Sequence, residues 1–261
     1  MATTRRTAAP LTAYVLHRYD WSETSLILDL FTREQGRLAV AAKGAKRPYS
    51  QLRSVLLPFQ RIHVNVGRPP KSENAGESTN EVQNLRNAEW AGGNAMLTGA
   101  ALFSGFYLNE LLMKLMARHD PHPGLFDAYA QTLPLLAAGD DTSVQVALRA
   151  FEITLLKEVG VLPDLRMVTN TLEDLRPGDE YALLAEAGVA AARSTDAAIT
   201  GSTLIRLQAA LESGSLAALQ MACAEHLPTL KTVLRGLLHY HLGTPILRTR
   251  QVMLDVQSLE P

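Results

Sequence analysis

Cysteine is almost absent from this chain of 261 residues, which contains a single one, Cys223. One thiol cannot form an internal disulfide, a four-cysteine zinc site or a CxxC redox pair. The lack of a disulfide framework favours a reducing, cytoplasmic setting. Because Met221, Ala222 and Ala224 surround the cysteine in a helical pattern, we expect a buried structural thiol.

Long apolar runs are missing as well. The first 17 residues contain two arginines but no apolar core of signal-peptide length. The most apolar helix candidate, residues 95–117, contains Glu110 and Lys114, and charges at such positions disfavour a bilayer span. We therefore expect a soluble cytoplasmic protein that does not associate with membranes.

Motifs for catalysis are also lacking. The sequence contains no GxxxxGK[ST] phosphate loop, no GxSxG elbow and no HExxH metal motif. His239 and His241 are two residues apart, a spacing that points them to different faces of a helix and disfavours a shared metal. Asp140 and Asp141 precede a helix start and are better explained as cap and dipole partners. The sequence thus predicts a binding or scaffolding protein rather than an enzyme, with no cofactor and no metal.

Net charge is close to zero, at −1, but the balance hides an asymmetry. Residues 1–70 carry 11 Lys and Arg against four Asp and Glu, whereas the remainder carries 14 against 22. Within the basic part, residues 37–53 contain five Lys and Arg and no acidic residue. Such asymmetry indicates an anionic partner, of which nucleic acid is the commonest. A solvated charged face remains the alternative.

The first ninety residues have the pattern of a small β-barrel. Alternating apolar residues and turn signals predict strands at 11–19, 24–32, 37–44, 58–67 and 81–90. A short helical turn is expected between the third and fourth strands, and a loop rich in Pro, Gly, Ser and Asn at 68–80. Five short antiparallel strands with an insertion after the third match the OB barrel. We assign residues 1–90 to a basic OB-fold domain.

The remaining residues, 91–261, have the pattern of an acidic all-helical domain, which makes the fold class α+β. Helices are predicted at 95–119, 122–138, 142–160, 201–213 and 216–243. Asp120 and Thr142 are the expected caps, and Gly139 and Gly160 the expected stops. Residues 164–196 read as an irregular insertion with a small hairpin around the sequence EYALLAEAGVAAA.

Barrels of this type bind single strands on strands two and three, with cations along the phosphates and aromatic rings on the bases. The predicted DNA-binding residues lie on these strands and in the loop after them: Arg33, Arg37, Lys43, Lys46, Arg47, Tyr49 and Arg53. We expect Tyr49 to be exposed, and Trp21, Phe31 and Phe59 to pack in the barrel. Because exposed aromatic residues are few, binding should be mostly electrostatic, sensitive to salt and indifferent to sequence.

Several motifs in order resemble one known family. They are S-E-x-S at 22–25, F-T-x-E-x-G-R at 31–37, A-K-G at 42–44 followed by two cations, and Leu57-Pro58-Phe59. The helical part agrees at 102–112, 147–160 and 241–253. In these motifs the chain resembles the RecO family of bacterial recombination mediators.

The resemblance implies a specific role in DNA repair. Family members have an N-terminal OB domain and a helical C-terminal domain. They bind single- and double-stranded DNA and anneal complementary strands. With the partner RecR they load RecA onto DNA coated with single-strand-binding protein (SSB), without nucleotide hydrolysis of their own. The resemblance therefore also implies a nucleoid-associated protein whose partners are DNA, RecR, SSB and, indirectly, RecA.

Many family members contact the acidic, aromatic-ended tail of SSB through the helical domain. The corresponding LRxFE-type motif implies that Leu148, Arg149 and Phe151 contact the tail here, because a guanidinium beside an apolar groove suits a terminal carboxylate and a Phe. The alternative is that Leu148 and Phe151 are bundle core and Arg149 a surface charge.

The chain departs from the family in the segment where some members carry a four-cysteine zinc site. Residues 164–196 contain no cysteine, so we expect no zinc and a looser structure there. The family's Leu-Lys-Ser-Arg near the C-terminus is Leu247-Arg248-Thr249-Arg250 here, which keeps two positive charges.

Two alternative functions remain open: an interaction scaffold whose basic barrel binds an acidic protein, and a nucleic-acid enzyme.

Overall fold

A computed structural model of the chain describes residues 9–67, 82–92, 96–243 and 247–257. The loop predicted at 68–80 lies outside the described residues. The chain divides into two compact units, the first comprising Met1–Met96 with Met116–Phe126 and the second Leu97–Leu115 with Asp127–Pro261. The first unit therefore includes a segment, 116–126, that the sequence had placed beyond the barrel.

The first unit is a closed five-stranded barrel. Its strands are β1 (Leu11–Asp20), β2 (Leu26–Thr32), β3 (Gly36–Ala42), β4 (Arg61–Val66) and β5 (Gln83–Trp90), arranged in the order β1-β2-β3-β5-β4. The β3–β5 pair is parallel, whereas the other pairs, including the β1–β4 pair that closes the barrel, are antiparallel. A short helix, α1 (Leu52–Val55), lies between β3 and β4. The OB-fold plan predicted from the sequence is confirmed.

Alternation of apolar residues builds the barrel core. Leu28 and Leu30 on β2 pair with Val40 and Leu38 on β3, and all four side chains are fully buried in one cluster. Burial of each such side chain stabilises the fold by roughly 1.5–3 kcal/mol. Phe31 is also buried, as the sequence predicted.

The segment 116–126 packs on the barrel within the first unit. The ring centroid of Phe126 lies 5.3 Å from that of Phe31, and both rings are buried. The turn between β2 and β3 is tight against this segment, because a Cβ at Gly36 would lie 2.0 Å from the carbonyl oxygen of Asp120. Gly36 also has a φ of +69°, a conformation that favours glycine.

In the described residues after the barrel there are seven helices. They are α2 (Gly99–Leu115), α3 (Pro123–Ala138), α4 (Asp141–Glu158), α5 (Gly201–Ser213), α6 (Leu216–Ala224), α7 (Leu227–Leu242) and α8 (Arg248–Gln257). The helix predicted over 216–243 is in fact two helices, since α7 restarts after His226 with Pro228 in its first turn, where the missing N–H is tolerated. In the described parts of the chain, no helix combines the length and apolar character needed to cross a bilayer.

Residues 180–200 form a small sheet, so the expectation of an all-helical domain needs correction. Its strands are β6 (Glu180–Leu184), β7 (Gly188–Ala191) and β8 (Ile199–Thr200), in the order β7-β6-β8. The predicted hairpin is present as β6 and β7. The expected looseness of 164–196 is wrong, because Tyr181, Leu183 and Val189 are buried. The sequence lacked cysteines there, but its apolar side chains supply the core.

Local capping explains where α4 begins. The Asp140 carboxylate accepts a hydrogen bond from the Ser143 N–H at 2.9 Å, which satisfies a free donor of the first turn. Thr142, the cap expected from the sequence, lies inside the helix. Asp120, the other expected cap, is three residues before the start of α3 and does not occupy the cap position. The cap and dipole roles predicted for Asp140 and Asp141 fit the structure.

Candidate nucleic-acid interface and peptide cavity

Two connections meet at one end of the barrel: the β1–β2 turn, residues 21–25, and the loop after β3, residues 43–51. The Lys46 backbone N–H donates to the Thr24 carbonyl at 3.0 Å. Gly44, with a φ of +72°, lets the chain turn sharply at the end of β3. Five cations gather here, and we call them the basic end: Arg18, Lys43, Lys46, Arg47 and Arg53.

Most cations of the basic end face solvent. Lys43, Arg47 and Arg53 are exposed. Lys46 forms an ion pair with Asp20, with 3.1 Å between Nζ and the carboxylate oxygen. A recess of about 420 Å³ is lined by Lys46 and Arg53 together with Arg18. The surface can therefore offer several positive charges to an anionic polymer at once.

Two aromatic side chains accompany these cations. Tyr49 is 98% exposed, as the sequence predicted. Trp21 is 57% exposed, so the expectation that it packs in the barrel is wrong. A second recess, of about 400 Å³, is lined by Trp21, Lys43 and Arg47. An aromatic face and two cations thus border one concave surface.

Arg37 is buried, although the sequence placed it among the DNA-binding residues. Its Nε and Nη2 donate to the two carboxylate oxygens of Asp29 at 3.2 and 2.8 Å, and its Nη1 donates to the Met116 carbonyl at 2.8 Å. With 7% of its surface exposed, it cannot offer its charge to a polymer at the surface. The sequence did contain an indication of this buried ion pair, because Asp29 lies within an apolar strand and a buried acid requires a partner.

Arg33 is exposed but lies away from the basic end. It occupies the turn that joins β2 to β3, whose register runs from Thr32 opposite Gly36 to Leu26 opposite Ala42. Lys43 follows Ala42, so about 20 Å of strand separates the two cations. The structure therefore brings together five of the seven predicted residues (Lys43, Lys46, Arg47, Tyr49 and Arg53) and excludes Arg33 and Arg37. It adds Arg18, which the sequence analysis did not single out, and Trp21, which was expected to pack in the barrel.

A larger cavity, of about 670 Å³, lies within the second unit between α2, α4, α7 and α8. Its cationic lining comprises Arg149, Lys231, Arg235 and Arg250. Its apolar lining includes Phe103, Leu148, Leu238, Leu247 and Met253. A cavity with both kinds of wall suits a ligand that carries a negative charge beside an apolar group.

Arg149 is fixed by a buried network at the wall of this cavity. Its Nη2 lies 2.6 Å from Glu152 Oε1, which also accepts a hydrogen bond of 2.7 Å from the Tyr107 hydroxyl. Burial raises the pKa of Glu152, and the adjacent Arg149 offsets part of that effect. Within the described residues, Arg149 Nε and Glu152 Oε2 have no hydrogen-bond partner. The guanidinium is therefore positioned and still has an unused donor.

Of the three residues predicted to bind the SSB tail, two line the cavity and one does not. Leu148 and Arg149 line the cavity, whereas Phe151 is fully buried and packs against Tyr129, with 6.1 Å between ring centroids. Phe151 thus agrees with the core alternative. Lys231 and Arg235 come from α7, 82 and 86 residues after Arg149, and no local motif indicated them.

Cys223 is free and buried, in agreement with its expected structural role. Burial, with a smaller contribution from Glu152, raises the pKa of its thiol to about 12. The thiol is therefore protonated at neutral pH. Among the residues that the structure describes, no group of three or more His, Cys, Asp or Glu could hold a metal ion.

Comparison with known proteins covers nearly the whole chain. Residues 9–85 match the family described as Recombination protein O N terminal, and residues 96–251 match Recombination protein O C terminal. The DNA repair protein RecO of Polaromonas naphthalenivorans (strain CJ2) is 51% identical over 249 residues, covering 95% of this chain and 96% of the relative. That of Polaromonas sp. (strain JS666) is 50% identical over 261 residues, covering 99% and 100%.

The match extends to a third relative, the DNA repair protein RecO of Albidiferax ferrireducens, which is 49% identical over 261 residues and is covered to 99%. Both family regions occur in the same order as the barrel and the helical region described above. Identity near one half thus extends over 95–99% of this chain in the three relatives. The chain belongs to the RecO family of DNA repair proteins.

Proposed function

We propose that the protein binds single-stranded DNA through the basic end of its barrel and anneals complementary strands. With RecR it helps to load RecA onto DNA coated with SSB. The observation that supports this is the gathering of Arg18, Lys43, Lys46, Arg47 and Arg53 at one end of the barrel. Their charges are mostly exposed, as contacts with a flexible phosphate backbone require.

Annealing follows from charge neutralisation at this surface. Two strands repel one another through their phosphates, and cations that contact both lower that repulsion while bases pair. Contacts with phosphates carry no sequence information, so the surface accepts any pair of complementary strands.

The double variant K43A/R47A tests the basic end. Loss of two phosphate contacts should lower the slope of log affinity against log salt by about 1.4 for single-stranded DNA. Annealing of SSB-coated oligonucleotides should slow in parallel. Fluorescence anisotropy across a salt titration measures the first effect, and a strand-annealing assay measures the second.

A matched control removes two exposed arginines of the second unit, R176A/R193A, which changes the net charge equally. The control should retain the wild-type slope and annealing rate. A flat salt dependence in the wild-type protein, or equal effects of both variants, would contradict the proposal. That result would favour a scaffold whose basic end binds an acidic protein.

We further propose that the cavity in the second unit receives the acidic tail of SSB. The supporting observation is its mixed lining, in which Arg149, Lys231 and Arg235 stand beside Leu148 and Leu238. The tail's carboxylates would meet the exposed cations Lys231 and Arg235, since Arg149 is 7% exposed and already paired with Glu152. The aromatic end of the tail would fill the apolar part. Arg149 is already held in place by Glu152, so little ordering is needed on binding.

The double variant K231A/R235A tests this cavity. Both side chains lie at exposed positions of α7, so their removal should leave the fold intact. Loss of two contacts of about 0.7 kcal/mol each should weaken binding of a fluorescent SSB tail peptide about tenfold. The control R176A/R193A should bind as the wild type does. Equal binding by all three proteins would place the tail elsewhere.

A further inference from the structure

We propose that Trp21, Lys43 and Arg47 form a nucleotide recess in which the indole stacks on an unpaired base while the two cations hold the adjoining phosphates. The recess makes the basic end prefer single-stranded over duplex DNA. This inference rests on the proposed DNA binding and names the residue that gives it strand preference.

The first observation is the exposure of Trp21. A tryptophan side chain is large and highly buried in most proteins, because it removes much apolar surface from water. Here 57% of its surface faces solvent in a turn that is bordered by cations. An exposed aromatic face beside positive charge is the arrangement that single-strand binding surfaces use.

The second observation is that the recess is fixed by backbone contacts. The Trp21 N–H and the Ser22 N–H both donate to the Ser25 carbonyl, at 3.2 and 3.3 Å. Across the recess, the Gly44 N–H donates to Ser25 Oγ at 3.4 Å. The turn that carries the indole is thereby tied to the loop that carries Lys43. A preformed site loses little conformational freedom when a ligand binds.

The third step is the chemistry of the ligand. Every base has a π face, so stacking on an indole tolerates all sequences and adds roughly tenfold to affinity. The bases of a duplex are stacked on one another, and a base must leave the stack before a protein side chain can cover its face. The indole therefore adds affinity for single strands alone, whereas Lys43 and Arg47 attract both forms.

The test compares three probes of equal length: oligothymidylate, the same strand without bases, and a duplex. The variant W21A should bind oligothymidylate about tenfold more weakly than the wild type. Its binding to the abasic strand and to the duplex should change less than twofold. The matched control W90A removes the other tryptophan of the chain, which is equally exposed at 56%. W90A should bind all three probes as the wild type does.

A fluorescence measurement supplies a second readout. In the variant W90F, Trp21 is the single tryptophan, and oligothymidylate should quench its emission while the abasic strand should not. If W21A weakens all three probes equally, or none of them, the stacking role is wrong although DNA binding stands. If the wild-type protein binds no probe, the proposed function fails and the recess with it.

Discussion

At the scale of single residues, formal charge did not reveal which cations are available. Arg37 contributes to the basic count of the sequence, yet its guanidinium donates hydrogen bonds to the Asp29 carboxylate and to the Met116 carbonyl. A residue type gives the charge, but only three-dimensional pairing decides whether that charge reaches solvent. The positive surface of the barrel is therefore smaller than the sequence suggests, and it is concentrated at the basic end.

The buried pair makes a prediction about stability. The variant R37A should lower the free energy of unfolding by about 3–5 kcal/mol, because it removes both hydrogen bonds to the buried Asp29 carboxylate and leaves only Arg118, whose Nη2 lies 3.7 Å away, to offset its charge. Urea unfolding followed by tryptophan fluorescence measures the effect. The exposed cation Lys43 is the control, and K43A should change stability by less than about 0.5 kcal/mol.

A second variant separates pairing from packing. In D29A/R37A both charges are removed. The decrease in the free energy of unfolding should therefore be smaller than the sum of the decreases in D29A and R37A. Additive losses would show that the pair contributes no coupling. Wild-type stability in R37A would contradict the buried position of Arg37 in solution.

At the scale of elements, the sequence predicted which helices and strands exist better than it predicted where they begin and end. Alternation and helical periodicity located the five strands and most helices, because those patterns are fixed by burial on one face. The break between α6 and α7 was missed, since the apolar pattern continues through it while the chain turns at Glu225 and His226. The sequence offers both Asp140 and Thr142 as N-caps of α4, and only the backbone conformation shows that Asp140 occupies the cap position.

The start of α8 could not be predicted from local sequence, because its cap comes from another helix. Both carboxylate oxygens of Glu110 on α2 accept hydrogen bonds from the Arg248 and Thr249 N–H groups, at 2.9 and 2.8 Å. The Thr249 hydroxyl donates to the same carboxylate at 2.7 Å. These bonds connect positions 138 and 139 residues apart, a distance at which no local pattern operates.

Removal of this cap should loosen α8 selectively. In E110A the free N–H groups of the first turn lose their partner, at a cost of about 1 kcal/mol. Amide hydrogen exchange should accelerate over residues 248–253 and remain unchanged in α5. The control K114A removes the ion-pair partner of Glu110, 3.4 Å away, and keeps the cap. Equal exchange in E110A and wild type would show that packing alone holds α8.

The same cap predicts a pH dependence. Burial opposes the charge of Glu110, but hydrogen bonds from Thr249 and Arg248 outweigh it and hold the pKa of the carboxyl below its usual 4.5. A carboxylate with a lowered pKa stabilises the fold fully above its unfolded pKa and loses that contribution as the pH falls through the folded value. Protection factors in α8, which correct for the pH dependence of the intrinsic exchange rate, should therefore fall below about pH 4.5 in the wild type and show no such step in E110A.

At the scale of the whole molecule, the sequence indicated the asymmetry of charge but not the packing. The basic and acidic parts fall into the barrel and the helical region, as composition alone indicated. Composition could not show that residues 116–126 belong to the first unit, because they follow a helix of the second. Phe126 covers both Tyr14 and Phe31, with 5.3 Å between ring centroids in each pair.

This packing predicts that residues 1–90 alone are an incomplete barrel. The fragment lacks Phe126, so Tyr14 and Phe31 would lose the ring that packs on them. For the same reason, F126A in the full chain should lower the free energy of unfolding by about 3–5 kcal/mol. Both tryptophans, Trp21 and Trp90, lie in the first unit, so their emission reports barrel unfolding.

The urea midpoint of that emission should be lower in the fragment and in F126A than in the wild type, and the fragment should bind a dye for exposed apolar surface. The control M221A truncates a side chain that is 69% exposed in the second unit and should keep the wild-type midpoint. A fragment that unfolds at the wild-type midpoint would show that the barrel is complete without residues 116–126. Because an incomplete barrel would also weaken the basic end indirectly, DNA binding is better measured on point variants of the full chain than on the fragment.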